Sequence, residues 1–204
     1  GLPIYRSWDY GLSGAVCFSQ VLPDQRWLIF DEIVSDDMSV ENLADIVLDH
    51  CVRSFRRKVE FIDIGDPAGV IRSEVDARSV FQMLRAKGIN IQPGIQAIAV
   101  RLESMRKPMR RIVNGMPQFV IHPRCVVLRK ALQGGYCYRK LLVSGDRYTD
   151  TPMKNEWSHI SDAAQYCASI LFGSSVLLPR EGHQTVEEDD YAYDNSTRSR
   201  ATGY

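Results

Sequence analysis

The stretch Val59-Glu60-Phe61-Ile62-Asp63-Ile64-Gly65-Asp66-Pro67-Ala68-Gly69 decides how the chain is read. Its first seven residues are nearly all apolar, as in a central strand buried on both faces. Asp66 follows at the strand's carboxyl end, the edge of an open α/β sheet where ligands bind. A carboxylate there is either a turn residue ahead of Pro67 or a functional acid. Asp63 lies inside the strand, where an acid facing a core is expensive unless paired. It is the rival of Asp66, or a second group lining the same site.

Upstream, residues 4–9 and 14–20 read as two strands joined by Gly11-Leu12-Ser13-Gly14. Residues 26–34 read as a third, which makes an antiparallel meander. Val40, Leu43, Ile46, Val47 and Val52 recur at threes and fours and predict a helix over 39–55, with Ser39 at its N-cap. Downstream, a helix is expected over 72–87, stopped by Gly88. A short strand follows at 89–92, then a helix over 95–114 broken near Pro108. Residues 118–121 read as a strand, and Pro123 opens a helix to about Leu132. Tyr136 to Val143 and the segment after Gly145-Asp146 read as a hairpin, and a last helix covers 156–172. This order describes a mixed α/β domain that opens with a three-strand meander and is flanked by helices.

The 204 residues are 45% hydrophobic, enough for one core, and residues 1–175 read as one domain. From 176 to 204 apolar periodicity is lost and acids accumulate, so a disordered acidic tail is expected. The chain carries 25 basic and 25 acidic residues; without the tail, 22 and 19 remain, an excess too small to identify a nucleic-acid binder. Cys17, Cys51, Cys125, Cys137 and Cys167 form no C-x-x-C pair and are expected to be free, mostly buried thiols of a reducing cytoplasm. No run approaches the roughly 20 apolar residues of a membrane span, and no signal segment opens the chain.

Two further acids complete a pattern. Asp9 ends the strand Ile4-Tyr5-Arg6-Ser7-Trp8-Asp9, just before Tyr10-Gly11. Asp162 lies on the last helix, where Trp157, Ile160, Ala164, Cys167 and Leu171 share one face. His159, Asp162 and Tyr166 fall on the opposite face, so the helix is expected to present His159 and Asp162 together. Mg²⁺ prefers hard oxygen ligands and needs few carboxylates. Two such ions about 4 Å apart can activate water and neutralise a phosphodiester. Asp9, Asp66 and Asp162 are therefore candidate ligands for two divalent ions, Mg²⁺ with Mn²⁺ as substitute, and His159 a candidate proton shuttle or phosphate contact. His50, His122 and His183 have no zinc-ligand spacing. Arg139, Lys140, Arg147 and Lys154, on or beside the hairpin ahead of this helix, are candidate DNA contacts. Arg101, Arg106, Lys107, Arg110 and Arg111 read equally well as a solvated helix face.

At these residues the chain resembles the nuclease domain of tailed-bacteriophage terminase large subunits. Asp9-Tyr10-Gly11 resembles that family's first metal motif, Gly65-Asp66-Pro67-Ala68-Gly69 the second, and His159 through Tyr166, His-x-x-Asp-Ala-x-x-Tyr, the third. Asn114-Gly115-Met116-Pro117 and Leu132-Gln133-Gly134-Gly135-Tyr136 are similar to its connectors. The resemblance implies a ribonuclease H-like fold with a central mixed sheet. It also implies a metal-dependent endonuclease that cuts concatemeric double-stranded viral DNA in the host cytoplasm; no base-reading motif is visible, so little sequence preference is expected. Implied partners are an ATPase domain of the same protein, the portal and the small terminase subunit. No G-x-x-x-x-G-K-[ST] loop is present, so this chain is expected neither to bind nor to hydrolyse ATP. A start at Gly1 fits a piece of a longer protein. Two other readings remain open at this point. One is a junction resolvase or transposase-like nuclease. The other is a non-catalytic docking module whose Glu187-Glu188-Asp189-Asp190 meets a basic partner.

Overall fold

Alternation along the first strand sets the layers, because successive side chains point to opposite faces of a sheet. The structure, a computed structural model, describes residues 1–11, 13–55, 59–71, 78–141 and 147–173. Strand β1 (Ile4–Asp9), β2 (Ala15–Val21) and β3 (Trp27–Val34) form the expected antiparallel meander. Helix α1 (Val40–Ser54) is N-capped by Ser39, whose Oγ accepts from Asn42 N at 3.3 Å. Strand β4 (Phe61–Gly65) runs parallel to β1 and leads into a single 3₁₀ turn, Pro67–Val70. Helix α2 (Val80–Ala86) opens on a Ser79–Gln82 capping box, and β5 (Ile91–Pro93) pairs parallel to β4.

Helix α3 (Ile98–Arg110) precedes a small hairpin of β6 (Ile112–Val113) and β7 (Met116–Pro117). Strand β8 (Phe119–Ile121) then joins the sheet parallel to β3. Helix α4 (Val126–Lys130) widens into a π turn over Ala131–Gly135. Strands β9 (Tyr138–Lys140) and β10 (Tyr148–Pro152) make a separate hairpin, and α5 (Ser158–Phe172) is the last described helix. The central sheet is mixed, in the order β5-β4-β1-β2-β3-β8.

Each sheet face has its own core. Ile4, Trp8, Val16 and Phe18 pack against Leu43 and Val47 of α1 and Phe81 and Leu84 of α2. On the other face Ala15, Cys17, Trp27, Ile29 and Ile64 meet Ile160, Ala163, Ala164 and Cys167 of α5, with Met105 of α3 and Leu128 of α4. Small residues on α5 let its backbone approach the sheet closely: Cys17 Sγ donates to the carbonyl of Ile160 at 3.7 Å. Burial on both sides leaves little room for charge. Asp63, 3% exposed, is accordingly paired with Arg6 at 2.8 and 2.6 Å and accepts from Trp8 Nε1 at 2.8 Å. Arg6 and Trp8 belong to the α1/α2 face, so Asp63 does not line the site of Asp9 and Asp66, which the strand pattern places on the α5 face.

Three other expectations change. The helix over 95–114 ends at Arg110, with Pro108 inside its last turn and no break there. Asn114 and Gly115 take φ of 50° and 75° and turn a hairpin instead, the two left-handed positions for which Asn-Gly is favoured. The last helix has no solvated face opposite its apolar one: Ser158 and every residue from Ile160 to Ser169 are buried, because α3 packs over the face turned away from the sheet. The helix over 72–87 is seen only as α2; residues 72–77 lie outside the described residues, as does the whole of 176–204. The five cysteines are free, four of them buried. Among the described residues no helix is long and apolar enough to cross a membrane.

Candidate active site

Strand register brings the first two acids together. In the parallel pair β1–β4, Trp8 lies opposite Gly65, so Asp9 and Asp66 are the next residues at the same carboxyl end. Asp66 N donates to the carbonyl of Trp8 at 3.1 Å, continuing the pairing beyond β4. The Asp66 side chain caps the 3₁₀ turn, with Oδ1 accepting from Ala68 N at 2.9 Å. Helix α5 crosses the same face and supplies the third acid together with His159.

Asp9 is 5% exposed, and its Oδ2 is held by His159 Nδ1 at 2.7 Å. Burial raises its carboxyl to about 6; the negative charges of Asp162 and Asp66 raise it too, against the lowering effect of His159. Burial pushes up the Tyr166 hydroxyl, against the opposing charge of Arg101, and Asp66, Asp9 and Asp162 each push it further. All three carboxylates thus act on one region at the end of the sheet.

Asp162, 1% exposed, is surrounded by donors. Tyr136 Oη donates to Oδ1 at 3.3 Å, and Arg101 Nη1 stands 3.6 Å from the same oxygen, an ion contact too long for a hydrogen bond. Oδ2 is taken by the ammonium of Lys154. Arg101 itself is buried, stacks over the Tyr166 ring at 4.6 Å, and has no hydrogen-bond partner for Nε or Nη1. A cleft of about 560 Å³ opens beside His159, lined also by Ser13, Ser35, Asp36, Asn155 and Trp157.

Asp9, Asp66, Asp162 and His159 are therefore gathered at one end of the fold, yet they do not close into a cage. Among the described residues no three His, Cys, Asp or Glu side chains stand together as a metal-holding group. Each acid is engaged by the protein: Asp9 by His159, Asp66 by an amide, Asp162 by Lys154. As a donor set, three carboxylates with one imidazole suit a hard divalent cation. The raised Asp9 carboxyl reflects first its burial, with the charges of Asp162 and Asp66 adding to it.

Of the four candidate DNA contacts, Arg139 and Lys140 are exposed on β9 and Arg147 is exposed just before β10. Lys154 is also exposed along its stem, but its ammonium lies on Asp162. Arg101, which the sequence offers only within a basic segment readable as a DNA contact or a solvated helix face, is buried at the site, and Tyr136 has no role legible in the sequence. Arg101 carries one usable signal: it shares a helical stripe with Met105 and Pro108, all buried, and not with Arg106, Lys107 and Arg110. Tyr136 follows a Gly-Gly pair and carries none.

The charge on Asp9 leads to a stability prediction. The folded state holds this proton more tightly than the unfolded chain, whose carboxyl titrates near 3.8. Metal-free stability should fall as pH rises from about 4 through about 6, by up to about 3 kcal/mol. Asp9→Asn cannot ionise and keeps an acceptor for His159, so it should be more stable than wild type at pH 7.5 and similar near pH 4. Urea denaturation in chelator at both pH values reads this; a less stable Asp9→Asn at pH 7.5 contradicts it.

The sheet order and the α5 crossing define a ribonuclease H-like fold. Solved structures share it. The large terminase of a thermophilic bacteriophage superposes with a TM-score of 0.61 at 17% identity, over 83% of this chain and 39% of that one. The bacteriophage SPP1 large-terminase nuclease domain, solved with bound Mn, matches with a TM-score of 0.54 at 19% identity, over 83% and 86% of the two chains. The P22 large-terminase nuclease domain matches with a TM-score of 0.58 at 10% identity, over 87% of each. This chain therefore spans about two fifths of the thermophilic phage's large terminase and most of the isolated nuclease domains. No family model matches the sequence, and no curated protein is significantly similar to it.

Proposed function

We propose that this domain is the metal-dependent DNA endonuclease of a viral packaging terminase large subunit, cutting concatemeric double-stranded DNA with little sequence preference. The observation that carries the reading is the gathering of Asp9, Asp66 and Asp162, from two parallel strand ends and a crossing helix. The fold shared with the SPP1 nuclease domain, whose structure holds Mn, supports the choice of ion, Mg²⁺ or Mn²⁺. The chemistry supplied by two bound divalent ions is activation of water and neutralisation of charge on the phosphate and the leaving oxygen.

The chain's own residues have separate tasks. Asp9, Asp66 and Asp162 hold the cations. Arg101 and Tyr136 fix one oxygen of Asp162 and leave the other, now covered by Lys154, to face the site. His159, oriented through Nδ1 by Asp9, accepts or returns a proton at Nε2 beside the cleft. Arg139, Lys140 and Arg147 meet backbone phosphates, whose recognition carries little sequence information. Lys154 joins them when it leaves Asp162. The ATPase domain of a longer protein, the portal and the small terminase subunit are the proposed partners, in the host cytoplasm.

Supercoiled plasmid tests the proposal. The protein should nick and linearise it with Mg²⁺ or Mn²⁺, should stop when chelator is added, and should do so without ATP. A strong preference for four-way junctions over linear duplex would replace the packaging role by a resolvase. No cleavage, with no melting response to Mn²⁺, would leave a docking module.

A further inference from the structure

Tyr10 has no part in the chemistry above, yet it follows the first acid directly. Strand alternation sends Asp9 toward α5 and Tyr10 to the opposite side, where its ring stands edge-on to Phe81 of α2 at 6.3 Å. There it occupies the space that side chains on the Asp66 turn would fill. A Cβ at Gly65 would fall 1.8 Å from Tyr10 Oη and 2.7 Å from Cζ; one at Gly69 would fall 2.7 Å from Tyr10 Cε2 and 2.7 Å from Phe81 Cε1. Neither glycine has a positive φ, so backbone freedom does not explain them. Both make room for an aromatic ring, and they bracket Asp66. The hydroxyl of Tyr10 is buried without a hydrogen-bond partner, so shape and not polarity fixes the ring.

We propose that Tyr10 is the positioning residue for Asp66: its ring, seated between Gly65 and Gly69, sets the turn that carries the second acid and so fixes Asp66 relative to Asp9. The inference rests on the reading of Asp66 as a cation ligand. A rigid ring with two rotatable bonds suits this task, because ligand geometry must be held within about 0.5 Å for tight binding. A residue that merely fills the core would lower stability when truncated and leave the dependence on metal alone.

The test uses the full chain and Mn²⁺. Tyr10→Leu should raise the Mn²⁺ concentration that half-saturates binding and plasmid cleavage by about tenfold or more. Tyr10→Phe, which keeps the ring, should rescue it. Gly65→Ala should show the same loss, partly recovered in the double variant Gly65→Ala/Tyr10→Phe, which removes the 1.8 Å contact. A Tyr10→Leu protein that melts lower with wild-type Mn²⁺ dependence overturns the proposal. If Tyr10→Leu does not fold, the alanine pair decides, and no recovery by Phe overturns it. If wild type neither binds Mn²⁺ nor cuts DNA, the nuclease reading fails separately. The positioning claim is then read from amide resonances: Tyr10→Leu should shift that of Ala68, which donates to Asp66, and an unmoved resonance overturns it.

Discussion

Asp66→Asn is expected to lower plasmid cleavage by at least about a thousandfold, equivalent to roughly 4 kcal/mol of transition-state stabilisation, and to leave the melting temperature almost unchanged. The two outcomes separate because Asp66 does two jobs with different requirements. Its structural job is to accept one hydrogen bond from Ala68 N at 2.9 Å, and an amide oxygen does that as well as a carboxylate. Its proposed chemical job needs negative charge beside Asp9, which an amide lacks. The residue is half-buried at the rim of the sheet, so neutralising it strands no partner. Cleavage by Asp66→Asn at wild-type rates would remove this acid from the site.

Asp162→Asn should lose cleavage to a similar degree and, unlike Asp66→Asn, lose stability as well. Asp162 is 1% exposed, and Arg101 beside it is 6% exposed. Removing one partner of a buried ion pair costs about 3–5 kcal/mol, since the remaining charge is left without compensation. Lys154 contributes little to that figure, because its side chain is 74% exposed and regains water when released. The variant should therefore unfold at clearly lower urea concentration, and Arg101→Met in the same background should restore part of the loss by removing the stranded charge. An Asp162→Asn protein as stable as wild type would mean that Arg101 does not depend on this carboxylate.

The buried strand β4 and its terminal Asp66 are legible because seven nearly apolar residues ending in Gly-Asp-Pro-Ala-Gly have few other readings. The meander is legible from alternation and short turns. Asp63 is legible only as a residue needing a partner; that the partner is Arg6, on the face away from the site, depends on the register of β1 and β4. Helix α5 is misread because periodicity reveals the face that meets the sheet. It is silent about a second layer, and α3 arrives from some sixty residues upstream to cover the rest. The β6–β7 hairpin is lost because strands of two residues have no pattern, although Asn114-Gly115 names the turn. Arg101 shows the same blindness in reverse. One buried guanidinium among several exposed basic residues is distinguished only by its stripe on the helix.

The same contacts explain why the acids do not form a closed cluster. Like charges repel, and each carboxylate settles on the nearest protein donor: His159, Ala68 N or Lys154. Those donors keep the acids ordered, and a cation that binds there has to compete with them.

Whether Asp9, Asp66 and Asp162 share divalent cations is read from a crystal of the domain soaked in Mn²⁺ and measured at the manganese absorption edge. Anomalous density should appear bounded by Asp9, Asp66 and Asp162, with the Lys154 ammonium withdrawn from Asp162. Density elsewhere, or none at saturating Mn²⁺ with Lys154 still seated on Asp162, would contradict it.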